Sequence, residues 1–344
     1  MRLLFICKCR TDPNYGTNNS SGLYNSASLI RDMLVNLGYE AELVQVIDAN
    51  SIDREVHSYK PTHVVIEALW VTPQKLAELV KIYPSIKWIV RSHSETPFIA
   101  NEGIAEQWLF DYRELFPHVI LAMNSGRTAK EYESILKIPV ITLPNYYPVN
   151  MNTYKPFNSF YRRGRKDFER EQVHIGCLGA IRPLKNQLIQ AHAAIEFAES
   201  INKRLFFYIN STRQEQKGEQ VYKNLVSLFE NTPHELYLLP WLDHDKFIDF
   251  VEERLDLGMQ CSLTESFNIV AADLVNVNIP IVVSKEVRWA ANLYKCDPTS
   301  FEDIVDKLKM TWWLRNTPVN YLNKIKLYLF SKRSRKLWLE LDCE

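Results

Sequence analysis

The stretch Leu257 to Trp289, LGMQCSLTESFNIVAADLVNVNIPIVVSKEVRW, leaves few choices of fold. Leu257 to Leu263 is a mostly apolar run of strand length, Thr264, Glu265 and Ser266 interrupt it, and Asn268 to Val275 has the apolar density of the first turns of a helix. Ile279 to Val283 reads as a second buried strand, with Pro280 at a position where a strand can begin. Two buried strands joined through a helix form a βαβ unit, whose strands run parallel and whose sheet is covered on both faces. Open parallel sheets bind ligands beyond the carboxyl ends of their strands, so Glu265 stands where a site would be. A polar loop between buried strands is equally what any α/β protein requires, and the stretch alone assigns no chemistry to Glu265.

The same alternation runs through the rest of the chain. Strands are predicted at Met1 to Cys9, Tyr39 to Ile47, His63 to Leu69, Ile86 to Arg91, Val119 to Met123 and Val140 to Leu143. Helices are predicted between them at Leu23 to Leu37, Pro73 to Tyr83, Glu102 to Leu115 and Arg127 to Leu136. Pro144 to Pro148 stops regular structure, and a second series follows, with strands at Val173 to Leu178, Leu205 to Ile209 and Glu235 to Leu239. Its helices are Asn186 to Glu199, Glu219 to Phe229 and Lys246 to Arg254. Between the two series lies a connection with Pro156, Gly164 and the basic residues Lys155, Arg162, Arg163, Arg165, Lys166 and Arg170, offset by Asp167 and Glu169. A length of 344 residues suits two domains, expected at 1–150 and 173–311, with a basic linker at 151–172 and helices at 312–344.

Composition excludes some classes. Forty-one basic residues balance forty-one acidic ones, so no global field draws the chain to nucleic acid or membrane, although the linker is locally basic. Six Cys residues are scattered without metal-ligand spacing, which fits a reducing, cytoplasmic setting; Cys7 and Cys9 share one side of a strand and are candidates for reactivity. The first residues read as a strand rather than a signal peptide, and no apolar run reaches the length of a membrane span.

Several residues invite chemistry. The loop Arg10 to Gly22 follows the first strand, yet Gly16 and Gly22 are too far apart for a dinucleotide fingerprint, so a dinucleotide cofactor is disfavoured. His93 follows the fourth strand at the ligand edge. A helix starting near Ser266 or Phe267 would offer the backbone of Ser266, Phe267, Asn268 and Ile269 to a phosphate, with Asp273 roughly 9–10 Å along the axis. A nucleotide sugar spans such a site, with its sugar near Glu265, its diphosphate at the helix start and its ribose near Asp273. Arg182 and Lys185 on the facing loop would neutralise a departing diphosphate. Asp243 and Asp245, which flank His244, read as helix caps rather than metal ligands.

At these residues the sequence resembles the two-domain GT-B glycosyltransferases, in particular the retaining family that contains sucrose and bacterial cell-surface sugar transferases. Its E-x7-E signature aligns with Glu265 and Asp273 in ESFNIVAAD, the second carboxylate being one methylene shorter. The resemblance implies a donor sugar beside Glu265 and a nucleotide ribose on Asp273. The family's Gly-Arg turn followed by Lys matches at Gly179 and Lys185, with Ala180 in the usual Arg place and Arg182 as a substitute. His93 matches the family's N-terminal His near the leaving sugar and acceptor, Gly22 stands for its glycine-rich first loop, and Asn145 for the Asn that closes the first domain. The fold implied is α/β, two Rossmann-like parallel-sheet domains facing across a cleft, with terminal helices crossing back to the first domain. The activity implied is transfer from a UDP- or GDP-sugar with retention, catalysed through Glu265, His93 and Lys185 without an essential metal or cofactor.

The acceptor stays open among a saccharide, a lipid, a small molecule and modified DNA. Val319 to Phe330 reads as a C-terminal helix, and Lys324, Lys326, Lys332, Arg333, Arg335 and Lys336 alternate with apolar residues from there to Trp338. That pattern suits packing with a wet basic face, a weakly held membrane surface or an acceptor. A nucleotide-sugar epimerase or hydrolase, and a non-catalytic sugar-nucleotide-binding protein, are the alternative functions.

Overall fold

The computed structural model describes residues 1–9, 22–151 and 171–342. Residues 10–21, most of the predicted first loop, and 152–170, nearly all of the basic linker with Lys155 to Arg170, lie outside the described residues, as does Cys343. The chain divides into two compact units, Met1–Pro148 with Phe330–Glu344, and Val149–Leu329.

The first unit holds strands β1 (Arg2–Lys8), β2 (Glu40–Val46), β3 (His63–Glu67), β4 (Lys87–Ser92), β5 (Val119–Met123) and β6 (Val140–Thr142) in the order β2-β1-β3-β4-β5-β6. Every neighbouring pair is parallel. Successive side chains of a strand point to opposite faces, and a parallel sheet buries both. Leu4 and Ile6 of β1 therefore enter one core with Val64, Ile66, Trp88 and Val90, while Leu3 and Phe5 enter a second with Val65, Ile89 and Ala122. The first core is closed by α2 (Ile52–Tyr59), α3 (Pro73–Ile82), α5 (Ala105–Arg113) and α6 (Gly126–Leu136), and the second by α1 (Gly22–Asn36) and Trp338. A short helix, α4 (Thr96–Ile99), follows β4. The sequence reading passed over α2 because it buries only Ile52 and Val56, one turn apart; it follows directly on a 3-10 turn, Ala49–Ser51, which Asp48 caps by accepting bonds from Asn50 N at 2.9 Å and Ser51 N at 3.0 Å.

The second unit holds β7 (Gln172–Gly176), β8 (Arg204–Asn210), β9 (Glu235–Leu239), β10 (Leu257–Gln260), β11 (Ile281–Ser284) and β12 (Lys295–Cys296), in the order β12-β11-β10-β7-β8-β9 and again parallel. Helices α7 (Gln187–Ser200), α8 (Gly218–Glu230), α9 (His244–Arg254), α10 (Ile269–Asn276) and α11 (Phe301–Leu314) accompany them. The two-residue β12 has no apolar run of its own to signal it; pairing of Val283 with Lys295 and Ser284 with Cys296 makes it a strand. Strand order reverses between β1 and β3 in the first unit and between β7 and β10 in the second. Doubly wound sheets open a ligand crevice beyond the carboxyl ends of the strands at such a reversal.

The C-terminal helix departs from the predicted Val319 to Phe330. A 3-10 turn at Pro318–Tyr321 comes first, and the helix, α12, is Leu322–Glu340. Lys324 is not on a wet basic face: it is buried, and its Nζ donates to Asn276 O at 2.7 Å and to Asn278 Oδ1 at 3.1 Å, at the end of α10. Burial pushes this ammonium down to about 8, and Asn276 O is one of the carbonyls that a helix end leaves unpaired. Lys326, Lys332, Arg333, Arg335 and Lys336 remain exposed. No helix among the described residues is long and apolar enough to cross a membrane.

Trp338 is the anchor of α12 in the first unit. It is fully buried, with its ring centroid 5.7 Å from that of Phe5 and its Nε1 donating to Pro144 O at 2.8 Å. Trp338→Ala is expected to cost about 3–5 kcal/mol, the usual range for a large buried aromatic, read as a lowered urea midpoint. Trp338→Phe should cost less, because most of the contact with Phe5 survives.

Candidate functional site

The loop after β7 is shaped by two glycines. Gly179 has φ +111, a region open to glycine, and its N–H donates to Asn210 Oδ1 at 2.7 Å. Ile181 pairs with the loop after β8, its N–H donating to Arg213 O at 2.9 Å and its carbonyl accepting from Glu215 N at 2.9 Å. Gly218 makes room for this pairing, since a Cβ there would sit 2.0 Å from Ile181 O. The chain then makes a 3-10 turn, Pro183–Lys185, before α7.

Backbone and amide bonds stitch this loop to the one after β10. Leu263 N donates to Leu184 O at 2.9 Å, Asn186 Nδ2 to Cys261 O at 3.1 Å, and Cys261 N to Gln190 Oε1 at 2.9 Å. The same Gln190 donates from Nε2 to Lys185 O at 2.8 Å. Lys185 and Glu265 are thereby brought together beyond the β7/β10 reversal.

Three donors converge on one oxygen of Glu265. Lys185 Nζ forms an ion pair with Oε1, Ser262 Oγ donates to it at 2.9 Å and Asn268 Nδ2 at 3.1 Å. Oε2 takes none of these bonds. The Lys185 and Glu265 side chains are 14% and 11% exposed, so the pair is largely desolvated yet open on one side. Asn268 does double duty: at φ +63 its Oδ1 accepts from Ala271 N at 2.9 Å and caps α10, while its Nδ2 also reaches Gln260 Oε1 at 2.9 Å.

Several sequence expectations need adjusting here. Helix α10 begins at Ile269, not near Ser266 or Phe267, because Asn268 occupies the cap. Asp273 consequently lies four residues into the helix, about 6 Å of rise rather than 9–10. Phe267 is buried, its ring packed on Trp289 and its carbonyl accepting Trp289 Nε1 at 2.6 Å, so its side chain is an anchor; Ser266 and Ile269 are half-buried. Arg182 is engaged with Glu215 at 3.4 Å, and Glu215 also holds Arg213 at 2.7 Å, whose guanidinium lies 4.6 Å from the Trp241 ring centre. Asp243 stands at the N-cap of α9 without a side-chain capping bond. His244 points elsewhere: its Nε2 is 2.9 Å from Asp273 Oδ1. That hydrogen bond holds the imidazole pKa above its ordinary value, against the opposing effect of burial.

In the first unit a second network forms at the carboxyl ends of β3 and β4. Glu67 and Arg91 are register partners on adjacent strands, both wholly buried, with Arg91 Nη1 2.9 Å from Glu67 Oε2. Arg91 also donates from Nε to Leu143 O at 2.8 Å and from Nη2 to Asn145 Oδ1 at 2.6 Å. Asn145 Nδ2 donates to Ser26 Oγ at 3.1 Å, and Ser26 Oγ to Gly22 O at 2.7 Å. His93 Nε2 is 2.5 Å from Glu67 Oε2. Gly22, His93 and Asn145 therefore belong to one chain of hydrogen bonds.

The His93 imidazole is 17% exposed, while Glu67 and Arg91 are sealed beneath it. Burial lowers the His93 pKa, the nearby Arg91 charge lowers it further, and Glu67 opposes both. For Glu67 burial acts upward, but Arg91 and His93 overcome it and hold the carboxyl below its ordinary value. Because a carboxylate only accepts, the His93 proton sits on Nε2, which leaves Nδ1 as an acceptor. Beside this network Glu95 Oε2 accepts from Arg127 Nε at 2.9 Å and Thr128 Oγ1 at 2.8 Å.

The sequence reading missed Glu67 and the buried role of Arg91. A signal existed: Glu67 ends the apolar run VVI in HVVIE and Arg91 follows the apolar run WIV in KWIVRS, and charged residues in such positions are seldom buried without a partner. The suggestion that Cys7 is reactive is not supported, because it is buried and burial pushes its thiol pKa up. Among the described residues no group of three or more His, Cys, Asp or Glu is arranged to hold a metal ion.

No protein-family model matches the chain, and no curated protein was found to be similar to it. Solved structures do match. A sucrose-phosphate synthase from Thermosynechococcus elongatus superposes with TM-score 0.70 at 11% identity, covering 99% of each chain. A glycosyltransferase from Rickettsia africae ESF-5 gives 0.65 at 12%, covering 99% of this chain and 97% of its own. Anabaena HepE, in complex with UDP and glucose, gives 0.63 at 13%, covering 99% of this chain and 100% of its own. The likeness extends over both units, and the fold is GT-B, two Rossmann-like α/β units in one chain. At such identities the fold is what is shared.

Removing one partner of a buried ion pair strands the other. Arg91→Met is expected to destabilise the protein by about 3–5 kcal/mol, read by urea unfolding. The double change Glu67→Gln with Arg91→Met should recover much of that loss, because no uncompensated charge is then buried.

Proposed function

We propose that this chain is a glycosyltransferase that moves a sugar from a nucleotide-sugar donor to an acceptor hydroxyl, with retention at the anomeric carbon. The observation that carries the reading is the convergence of Lys185, Ser262 and Asn268 on one oxygen of Glu265, beyond the reversal between β7 and β10. A carboxylate pinned through one oxygen offers the other in a defined direction to a hydroxyl-bearing ligand. Fold likeness supports the class, since the similar solved structures include sugar transferases, one of them holding UDP and glucose.

In the proposed reaction the acceptor oxygen bonds to the anomeric carbon as the bond from that carbon to the diphosphate oxygen breaks. The acceptor proton passes to the departing nucleoside diphosphate. Attack and departure on the same face give retention, the outcome implied by the resemblance of Glu265 and Asp273 to an E-x7-E pair. Lys185, with three N–H donors, can stay with Glu265 and still meet a phosphate oxygen, balancing charge as the diphosphate leaves. The N-terminal end of α10, at Asn268 and Ile269, adds the partial positive charge of its backbone. Arg182 takes a lesser part because Glu215 already engages it. His93, neutral and presenting Nδ1, is assigned to the acceptor together with Gly22 and Asn145. UDP- and GDP-sugars are the donor candidates, and no essential metal is proposed.

Glu265→Ala is expected to lower transfer at least a hundredfold while the far-UV circular dichroism stays that of the folded parent, with a lowered unfolding midpoint because Lys185, Ser262 and Asn268 lose their acceptor. Donors are found by thermal shift across UDP-, GDP- and ADP-sugars, a ligand at a hundred times its Kd adding about 2.7 kcal/mol. Product NMR with saccharide, lipid and modified-DNA acceptors then reads the reaction. Normal transfer by a folded Glu265→Ala protein sinks the assignment. Free sugar or an epimerised donor as sole product replaces transferase with hydrolase or epimerase, and tight binding without turnover points to a binding protein.

A further inference from the structure

The second carboxylate of the ESFNIVAAD stretch is an aspartate, and its surroundings change what it can touch. Asp273 is only 3% exposed, and its Oδ1 is 2.9 Å from His244 Nε2. The His244 side chain is 39% exposed against 4% for that of Asp273, so the imidazole is the part of the pair that solvent and ligands reach. The two residues come from different elements. His244 opens α9 and Asp273 lies midway along α10.

His244 occupies the first position of α9, held there by its hydrogen bond to the Asp273 carboxylate. With its Nε2 proton turned to Asp273, the ring carries its other nitrogen, Nδ1, away from α10. Neutral, Nδ1 accepts a hydrogen bond from a hydroxyl; protonated, it donates one. Either form suits one of the paired hydroxyls of a ribose. The imidazole, more exposed than the aspartate it pairs with, extends the pair toward solvent.

We infer that the ribose of the donor nucleotide is held by His244, with Asp273 the residue that positions the imidazole. This rests on the reading of the second unit as the nucleotide-sugar site. It differs from that reading in naming a histidine on α9, not a carboxylate on α10, as the group in contact with the ribose.

The test compares nucleotides that differ only in ribose hydroxyls. Calorimetric titration of the full chain uses UDP and GDP, each against its 2′-deoxy and 3′-deoxy forms. The parent protein is expected to bind one ribonucleotide about tenfold more tightly than the form lacking the contacted hydroxyl, a loss of about 1.4 kcal/mol. In His244→Ala the ribonucleotide should weaken by a similar factor and the preference for the hydroxyl should vanish. His244→Gln, which keeps a polar group beside Asp273, guards against a packing effect, and the ratio of two affinities within one variant is independent of the fraction folded. A preserved hydroxyl preference in His244→Ala overturns the inference and returns the contact to Asp273. Equal affinity of the parent for ribo and deoxy forms also overturns it. Failure of the parent to bind either diphosphate removes the nucleotide-site reading itself, an outcome distinguishable because it needs no variant.

Discussion

The second unit turns on a single carboxylate oxygen. Glu265 Oε1 receives an ammonium from the β7 side of the strand reversal, a hydroxyl from the end of β10, and an amide from the cap of α10. Each donor belongs to a segment that the fold must position anyway, so the cost of desolvating the carboxylate is offset by bonds the surrounding loops already hold in place. Asn268 is the most economical part of the arrangement. One side chain ends the strand-to-helix loop, starts the helix and steadies the acid, which couples the direction of Glu265 to the start of α10. Around it, the bonds from Leu263 N to Leu184 O, Asn186 Nδ2 to Cys261 O and Cys261 N to Gln190 Oε1 keep the two loops from drifting apart.

The first unit solves a similar problem by the opposite means. There a full ion pair, Glu67 with Arg91, is sunk into the sheet, and only His93 emerges from it. A buried ion pair is a poor source of stability, since apolar side chains of equal volume often do as well. Its value lies in what it orients. Every nitrogen of the Arg91 guanidinium has an acceptor, the Trp338 ring centre lies 5.1 Å away, and the imidazole is left in one tautomer with one free face of chemistry.

Much of this was legible in the chain itself. The buried runs of β1, β3, β4 and β5 are continuous because both faces of a parallel sheet are covered, and that continuity is visible in RLLFICK and VILAM. Gly38 after α1 and the Pro at the start of α3 mark helix ends for steric reasons that do not depend on the rest of the molecule. Glu265 and His93 were identifiable as polar residues just beyond strand ends, where α/β sheets place ligands, and Lys185 as a cation on the loop facing Glu265. Less legible were elements whose existence depends on neighbours, such as α2 with two buried residues and β12 with two residues in all. Lys324 looked like one more charge on a wet face and proved to be the cap of another helix.

By itself, then, the sequence determined the alternation of strand and helix, the parallel sheets and the edge at which reactive side chains gather. Those follow from short-range rules: periodicity, turn sterics and the need to bury both faces of a sheet. Tertiary structure alone decided the partners. That Arg182 answers to Glu215, that Asp273 is masked by His244, and that Glu67 reaches across strands to Arg91 and His93 depend on distances between residues far apart in the chain. A carboxylate carries no mark in the sequence of which cation will meet it, because burial, register and loop stitching choose among many and only the folded chain supplies all three.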